Sequence, residues 1–212
     1  MNEKVKKISI VDYKLSNLES IKNAMNFLKY DVEITSDFRT IDKSDGIILP
    51  GVGSFPEAMN QMHKLDLINV IKYSVESKKL LLGVCLGFQL LFNYSEEFKY
   101  TKGLEILDGY SSSFREINFD LNMPNIGWYN LLVNNNNLYL KKNLLEAVNN
   151  KMFFFVHSFF VTSHIKDIVF TYTDNNNYKF CSSIYKNNIF GTQFHPEKSG
   201  KNGLNLLKSF FI

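Results

Sequence analysis

Between residues 7 and 84, four short apolar runs alternate with segments of helical period, and that alternation leaves few architectures open. "KISIVDY" (7–13), "DVEIT" (31–35), "GIILP" (46–50) and "LLLGV" (80–84) have the length and side chains of strands. "SNLESIKNAMNFLKY" places Leu18, Ile21, Met25 and Leu28 on one helical face, and Ser16 and Glu19 have capping-box spacing. Pro56 suits the first turn of a second helix, and "DLINVIKYSVESK" (66–78) reads as a third, capped by Asp66. Strands that alternate with helices build parallel β-α-β units with helices on both sheet faces.

From about residue 103 the pattern changes. "LEILDGYSSSFRE", "GWYNLLV", "KMFFFVHSFFVT", "DIVFTYT", "KFCSSIY" and "IFGTQFH" follow with few helical runs between them, as in a more antiparallel half. "SGKNGLNLLKSFFI" reads as a closing helix. Asparagine clusters at 134–137 and 175–177 read as solvated loops or hairpin tips. There is no internal repeat, and residues 1–212 read as a single domain. Hydrophobic residues make up 45% of the chain, enough for a core and too many for disorder.

The net charge of +3 is small, and no Lys/Arg stripe is interleaved with aromatics, so nucleic acid is not an expected partner. Lys4, Lys6 and Lys7 read as a solvated edge before the first strand. The most apolar stretch, "MFFFVHSFFV" (152–161), is shorter than the roughly 20 residues that cross a bilayer, so no membrane role is expected. The start shows no secretory h-region, and Cys85 and Cys181 offer neither a disulfide framework nor a metal spacing. A reducing, cytoplasmic setting follows, with no metal or cofactor expected.

Cys85 stands directly after "LLLGV", between Gly83 and Gly87. Ligands of open α/β sheets bind beyond the carboxyl ends of strands, and G-x-C-x-G has the spacing of a nucleophile elbow. Small neighbours let such a turn close, and a helix N-terminus would favour the thiolate. The pentapeptide alone also fits a core cysteine. Of the four histidines, His63 lies in a polar helical run, His164 in a turn, and His157 inside an apolar strand, where an interior, satisfied ring is expected. His195 ends a strand and precedes Pro196 and Glu197. Proline holds it extended, and a carboxylate two residues on can orient the ring. For an oxyanion, Leu86 N–H is the first donor of an elbow, and "PGVG" (50–53), whose Gly51 and Gly53 free the backbone, can supply a second. Cys181 reads as a core residue.

"PGVGSF", "GVCLGFQLLF" and "TQFHPEKS", in this order, resemble the class I glutamine amidotransferases over the whole chain. "VDY…SNLES", "GLEILDG", "PNIGW", "FFVHSFF" and "QFHPEKSGKNGLNLL" bring the likeness closer to the glutaminase subunits of imidazole glycerol phosphate synthase. The resemblance implies a flavodoxin-like three-layer α/β fold, with a mixed, mostly parallel central sheet and helices on both faces. It implies a catalytic triad of Cys85, His195 and Glu197, and an oxyanion site from Val52, Gly53 and Leu86. Gly51, Gln89, Glu97, Ser158 and Phe159 would hold glutamine. It further implies a heterodimer with a (β/α)₈ synthase (cyclase) subunit, which takes ammonia from this chain to form imidazole glycerol phosphate and AICAR in histidine biosynthesis. Glutaminase activity would then depend on that partner.

Two segments depart from the pattern. "DYKLSN" puts Lys14 and Ser16 where glycines are usual, and "PNIGW" puts Asn125 where histidine is usual; Trp128 is kept. These segments face the partner or the ammonia path in the family, so the acceptor stays open. A paralogous glutaminase that feeds a sugar amidotransferase in surface-glycan synthesis is the alternative, and a non-catalytic binding protein on the same scaffold is another. A cysteine peptidase of related fold is not supported by His-Pro-Glu and the substrate-end residues.

Overall fold

The computed structural model describes residues 7–15, 17–116 and 123–212. The four early runs form β1 (Lys7–Val11), β2 (Asp31–Thr35), β3 (Gly46–Leu49) and β4 (Leu80–Val84). They alternate with helices α1 (Leu18–Phe27), α2 (Phe38–Asp42), α3 (Phe55–Lys64) and α4 (Leu67–Glu76). The later part supplies β5 (Gly109–Ser113), β6 (Asn125–Asn130), β7 (Met152–His157), β8 (Phe159–Ser163), β9 (Val169–Asn175), β10 (Tyr178–Lys186) and β11 (Ile189–Thr192). Helix α5 (Leu86–Gln89) follows β4, α6 is Lys142–Val148, and α7 (Gly200–Phe210) closes the chain.

The central sheet runs β2-β1-β3-β4-β11-β10-β8-β5 and is mixed. Its first five strands are mutually parallel, and β11, β10, β8 and β5 then pair antiparallel in turn. The period of two along the parallel strands explains the layering. Ile8, Ile10, Ile48, Leu82 and Val84 pack with Ile21, Met25, Leu206 and Phe210 of α1 and α7 on one face. Ile47, Leu49 and Leu81 pack with Ala58, Met62 and Ile71 of α3 and α4 on the other. Both faces are covered, which is why these strands read as continuous apolar runs. No helix among the described residues is long and apolar enough to cross a membrane.

A separate two-stranded sheet, β6 with β7, is stitched to the end of the main sheet. His195 N donates to Phe154 O at 2.9 Å, and Ser199 Oγ accepts from Phe154 N at 3.0 Å. Phe153 and Phe155 pack their rings against Phe194, tilted and edge-on respectively.

Several local expectations need correction. Asp66 stands at the start of α4 in a left-handed conformation, φ 53°, and its side chain caps nothing there. Ser16 lies outside the described residues, and the residue before α1 is Asn17. Only Gly109–Ser113 of "LEILDGYSSSFRE" is strand. The asparagine clusters are turns but not simply solvated. Asn176 and Asn177 both have positive φ, the geometry of a tight hairpin tip. Asn137 and Asn175 are buried and donate to Tyr185 O and Asn125 Oδ1. Lys14, where the family pattern has glycine, is left-handed at φ 69°, and the Asp12 carboxylate holds both its backbone N–H and its ammonium.

Candidate active site

Cys85 sits at the carboxyl end of β4 with φ 53° and ψ −110°. A non-glycine residue there stores roughly 1–3 kcal/mol of strain, and its surroundings fix it. Its N–H donates to Thr192 O on β11 at 2.7 Å. The two glycines of G-x-C-x-G answer for packing. A Cβ on Gly83 would meet Gly87 O and Phe88 Cα of α5, each at 3.0 Å. A Cβ on Gly87 would overlap the backbone carbonyl of Leu49 and crowd that of Pro50. So α5 lies flat on its own strand and against the end of β3, and that contact brings the 50–53 loop beside Cys85.

The helix after Cys85 is shorter than the apolar run suggested. It ends at Gln89 because the next carbonyls are taken from outside: Leu90 O by Leu104 N, Leu91 O by Ile106 and Leu107 N, Phe92 O by Glu105 N. One turn carries little macrodipole, so the helix gives a thiolate less help than expected.

The adjacent strand β11 delivers the imidazole. His195 is extended (φ −98°, ψ 96°), and Pro196 opens a single 3₁₀ turn, Pro196–Lys198. That turn returns Glu197 to the ring: Nδ1 donates to Oε1 at 2.8 Å, with both side chains buried. Ser199 Oγ and Lys198 N both donate to His195 O, which holds the turn. Burial pulls the His195 pKa down, but the charge of Cys85 and the charge and hydrogen bond of Glu197 outweigh it and push the ring up to about 10. His195 Nε2 and Glu197 Oε2 are buried and have no hydrogen-bond partner among the described residues.

Cys85 and His195 line one cavity of about 400 Å³ with Val52, Gly53, Leu86, Gln89, Glu97, Val156, His157, Ser158, Phe159 and Lys198. It therefore brings together the expected triad cysteine and histidine, the expected oxyanion residues, and all the expected substrate residues but one. Gly51 faces a second, small cavity behind His195 and Glu197 instead. It is wedged so tightly that a Cβ would meet Tyr13 Oη, Gly87 N and Leu86 Cβ. Gly53 has φ 101°, open to glycine and strained for other residues, and Val52 is 40% exposed.

At the far end, Glu97 Oε2 accepts from Phe55 N at 2.7 Å, and burial raises its carboxyl against that bond. Gln89 Nε2 donates to Phe159 O at 3.0 Å and to Gln193 Oε1 at 3.1 Å. Both its N–H groups are thus used, and what it offers a ligand is an oxygen. An oxygen and a carboxylate suit an ammonium group.

His157 is the satisfied interior ring that its strand implied. Nδ1 donates to Phe159 O at 2.7 Å, Nε2 accepts from Asn125 Nδ2 at 2.9 Å, and burial drives the pKa down to about 3. It stays neutral and moves no proton. His63 is exposed on α3, and His164 lies in a bend against Asp108. Cys181 is core, its pKa pushed up to about 12 by burial. Sequence reasoning missed Gln193, fully buried behind Cys85 with Nε2 3.7 Å from Sγ. Its neighbours in sequence gave no signal, since Thr192 beside it is polar as well.

The family model for class-I glutamine amidotransferases matches residues 9–212. An imidazole glycerol phosphate synthase subunit HisH from Caldanaerobacter subterraneus subsp. tengcongensis is 38% identical, covering 96% of both chains. The subunit HisH 2 from Methanococcus maripaludis is 40% identical over 96% of this chain and 98% of its own. Among solved structures, PurLQS from Thermotoga maritima superposes with a TM-score of 0.72 at 21% identity, covering 97% of both chains.

Proposed function

The chain belongs to the class-I glutamine amidotransferase family, and from that premise we propose that it hydrolyses glutamine as the glutaminase subunit of an imidazole glycerol phosphate synthase. It would pass ammonia to a (β/α)₈ cyclase subunit in histidine biosynthesis. The carrying observation is local: the His195–Glu197 pair at 2.8 Å shares one cavity with a cysteine on a strained strand end. Relatives at 37–40% identity bear the name of this subunit, which supports the histidine-pathway acceptor over a sugar-modifying one.

In this reading the Cys85 thiolate attacks the side-chain amide carbon of glutamine, and the carbonyl π pair moves to oxygen. Backbone N–H groups of Val52, Gly53 and Leu86 receive that charge. His195, held by Glu197, gives its proton to the amide nitrogen, the C–N bond breaks, and ammonia leaves. Neutral His195 then takes a proton from water, which attacks the thioester. Glutamate departs and the thiol is restored. Glu97 and the oxygen of Gln89 hold the substrate ammonium; Ser158 and Phe159 present backbone groups to its amino-acid end.

Ammonia that reaches water becomes ammonium and loses its nucleophilic pair, so turnover is useful only beside an acceptor. Activity of the isolated chain is accordingly expected to be low and to rise on binding the cyclase subunit and its nucleotide ligand. The test is glutamine hydrolysis by the chain alone, by the complex, and by the complex with Cys85→Ala. The complex should far exceed the chain, and the variant should lose about 10⁴-fold or more in kcat. No glutamine hydrolysis by the complex would sink the glutaminase reading, unchanged hydrolysis by the variant would sink Cys85 as its nucleophile, and equal turnover with and without the partner would sink the coupling.

A further inference from the structure

Phe159 O is a backbone carbonyl, so it can only accept, and two side chains meet it: Gln89 Nε2 at 3.0 Å and His157 Nδ1 at 2.7 Å. That one atom sets the direction of every hydrogen bond connected to it. Gln89 must turn its amide nitrogen to Phe159, and its other N–H then reaches Gln193 Oε1 at 3.1 Å. With its oxygen so occupied, Gln193 has only N–H to present to Cys85 Sγ, 3.7 Å away. Turning Gln193 over would set nitrogen against nitrogen. On the other side, His157 must carry its proton on Nδ1, so Nε2 accepts from Asn125 Nδ2, and Asn125 Oδ1 accepts from Asn175 Nδ2 at 3.1 Å. The members are buried, and the chain runs unbroken from Asn175 to the sulfur.

The sulfur needs such a donor. As a thiol it donates to Val156 O at 3.9 Å. Once ionised it faces that carbonyl as a dipole of the wrong sign. The single-turn α5 adds little field. The titratable and charged groups around it are His195 with Glu197 behind it, neutral His157, and Glu97 and Lys198 on the cavity wall.

We propose that Gln193 is a further catalytic residue: its amide N–H, aimed by Gln89 and ultimately by Phe159 O, is a hydrogen-bond donor to the Cys85 thiolate. This rests on Cys85 being the nucleophile. A hydrogen bond to a charged acceptor favours the charged form, so removing the donor must make the thiolate harder to form.

The experiment measures iodoacetamide labelling of Cys85 against pH, read by mass spectrometry on the Cys85 peptide, in the full chain and in Gln193→Leu and Gln193→Glu. The Leu variant should move the labelling midpoint up by about one pH unit, the size of a charge-assisted hydrogen bond. The Glu variant is nearly isosteric and decides the matter if Leu does not fold. It accepts from Gln89 with one oxygen and sets the other against the sulfur, so its midpoint should rise further. A merely structural role would lower the melting temperature and leave the midpoint alone, and an unchanged midpoint in a folded variant overturns the proposal. Cys85→Ser separates the two ideas: full glutamine hydrolysis by that variant would defeat Cys85 as the nucleophile, whereas an unchanged midpoint in the Gln193 variants with an inactive Cys85→Ser defeats only this one.

Discussion

On the parallel side of the sheet, Cys85 is placed by main chain: a strained φ, a 2.7 Å bond to Thr192 O, and two glycines, of which Gly83 leaves little room for a Cβ and Gly87 none. On the antiparallel side, the opposite wall is placed by side chains, through the amide and imidazole groups that converge on Phe159 O. The first arrangement is steric and tolerates no added atom. The second is polar and tolerates shape change as long as donors and acceptors still match. His195 stands at the seam, its backbone continuing β11 beside β4 and its N–H bonded to β7.

Three changes would break or sharpen this contrast. The largest effect is expected at the seam. Glu197→Gln keeps the shape but removes the charge behind His195, and kcat should fall by about 10²–10⁴-fold. The sign of the pH effect follows: Glu197 is among the groups that raise His195 to about 10 against the pull of burial. Without it the imidazolium gives up its proton at lower pH, so the alkaline limb of the rate profile should shift downward. A rate–pH series on the complex measures both. Next is Gly87→Ala, which adds one carbon against the Leu49 carbonyl. It should cost about 3 kcal/mol in urea unfolding, the upper range for overpacking, and should depress activity by displacing the 50–53 loop. The smallest effect belongs to the polar wall. Asn175→Ala leaves Asn125 Oδ1 without its donor, 3.1 Å in the native chain, and should cost about 1–2 kcal/mol with the fold intact. Should Asn175→Ala prove more damaging than Gly87→Ala, the contrast between the two sides fails.

The steric side was the more legible in sequence. Apolar runs at 46–50 and 80–84 announce strands covered on both faces, and Gly83 and Gly87 announce a turn that small residues must permit. His195, Pro196 and Glu197 were readable because proline restricts its neighbour within two residues of the carboxylate. The length of α5 was not readable. Leu90, Leu91 and Phe92 have helical character, and what ends the helix is a segment more than ten residues away that claims their carbonyls. Asp66 had a capping residue's identity but not its backbone geometry. Asn125 stood out only as a departure from the family pattern, and its hydrogen-bond role, like those of Asn175 and Gln193, was opaque for a common reason. Each is polar and defined by partners at separations of 32, 50 and 108 residues.

Phe159 lends its carbonyl, not its ring, to the wiring behind Cys85. All twenty amino acids carry that same oxygen, so exchanging the residue at 159 could reshape the cavity while the polarity running toward the sulfur survived. The origin of the circuit is thus beyond the reach of a codon change, and drift can interrupt it only farther along, where the amides are.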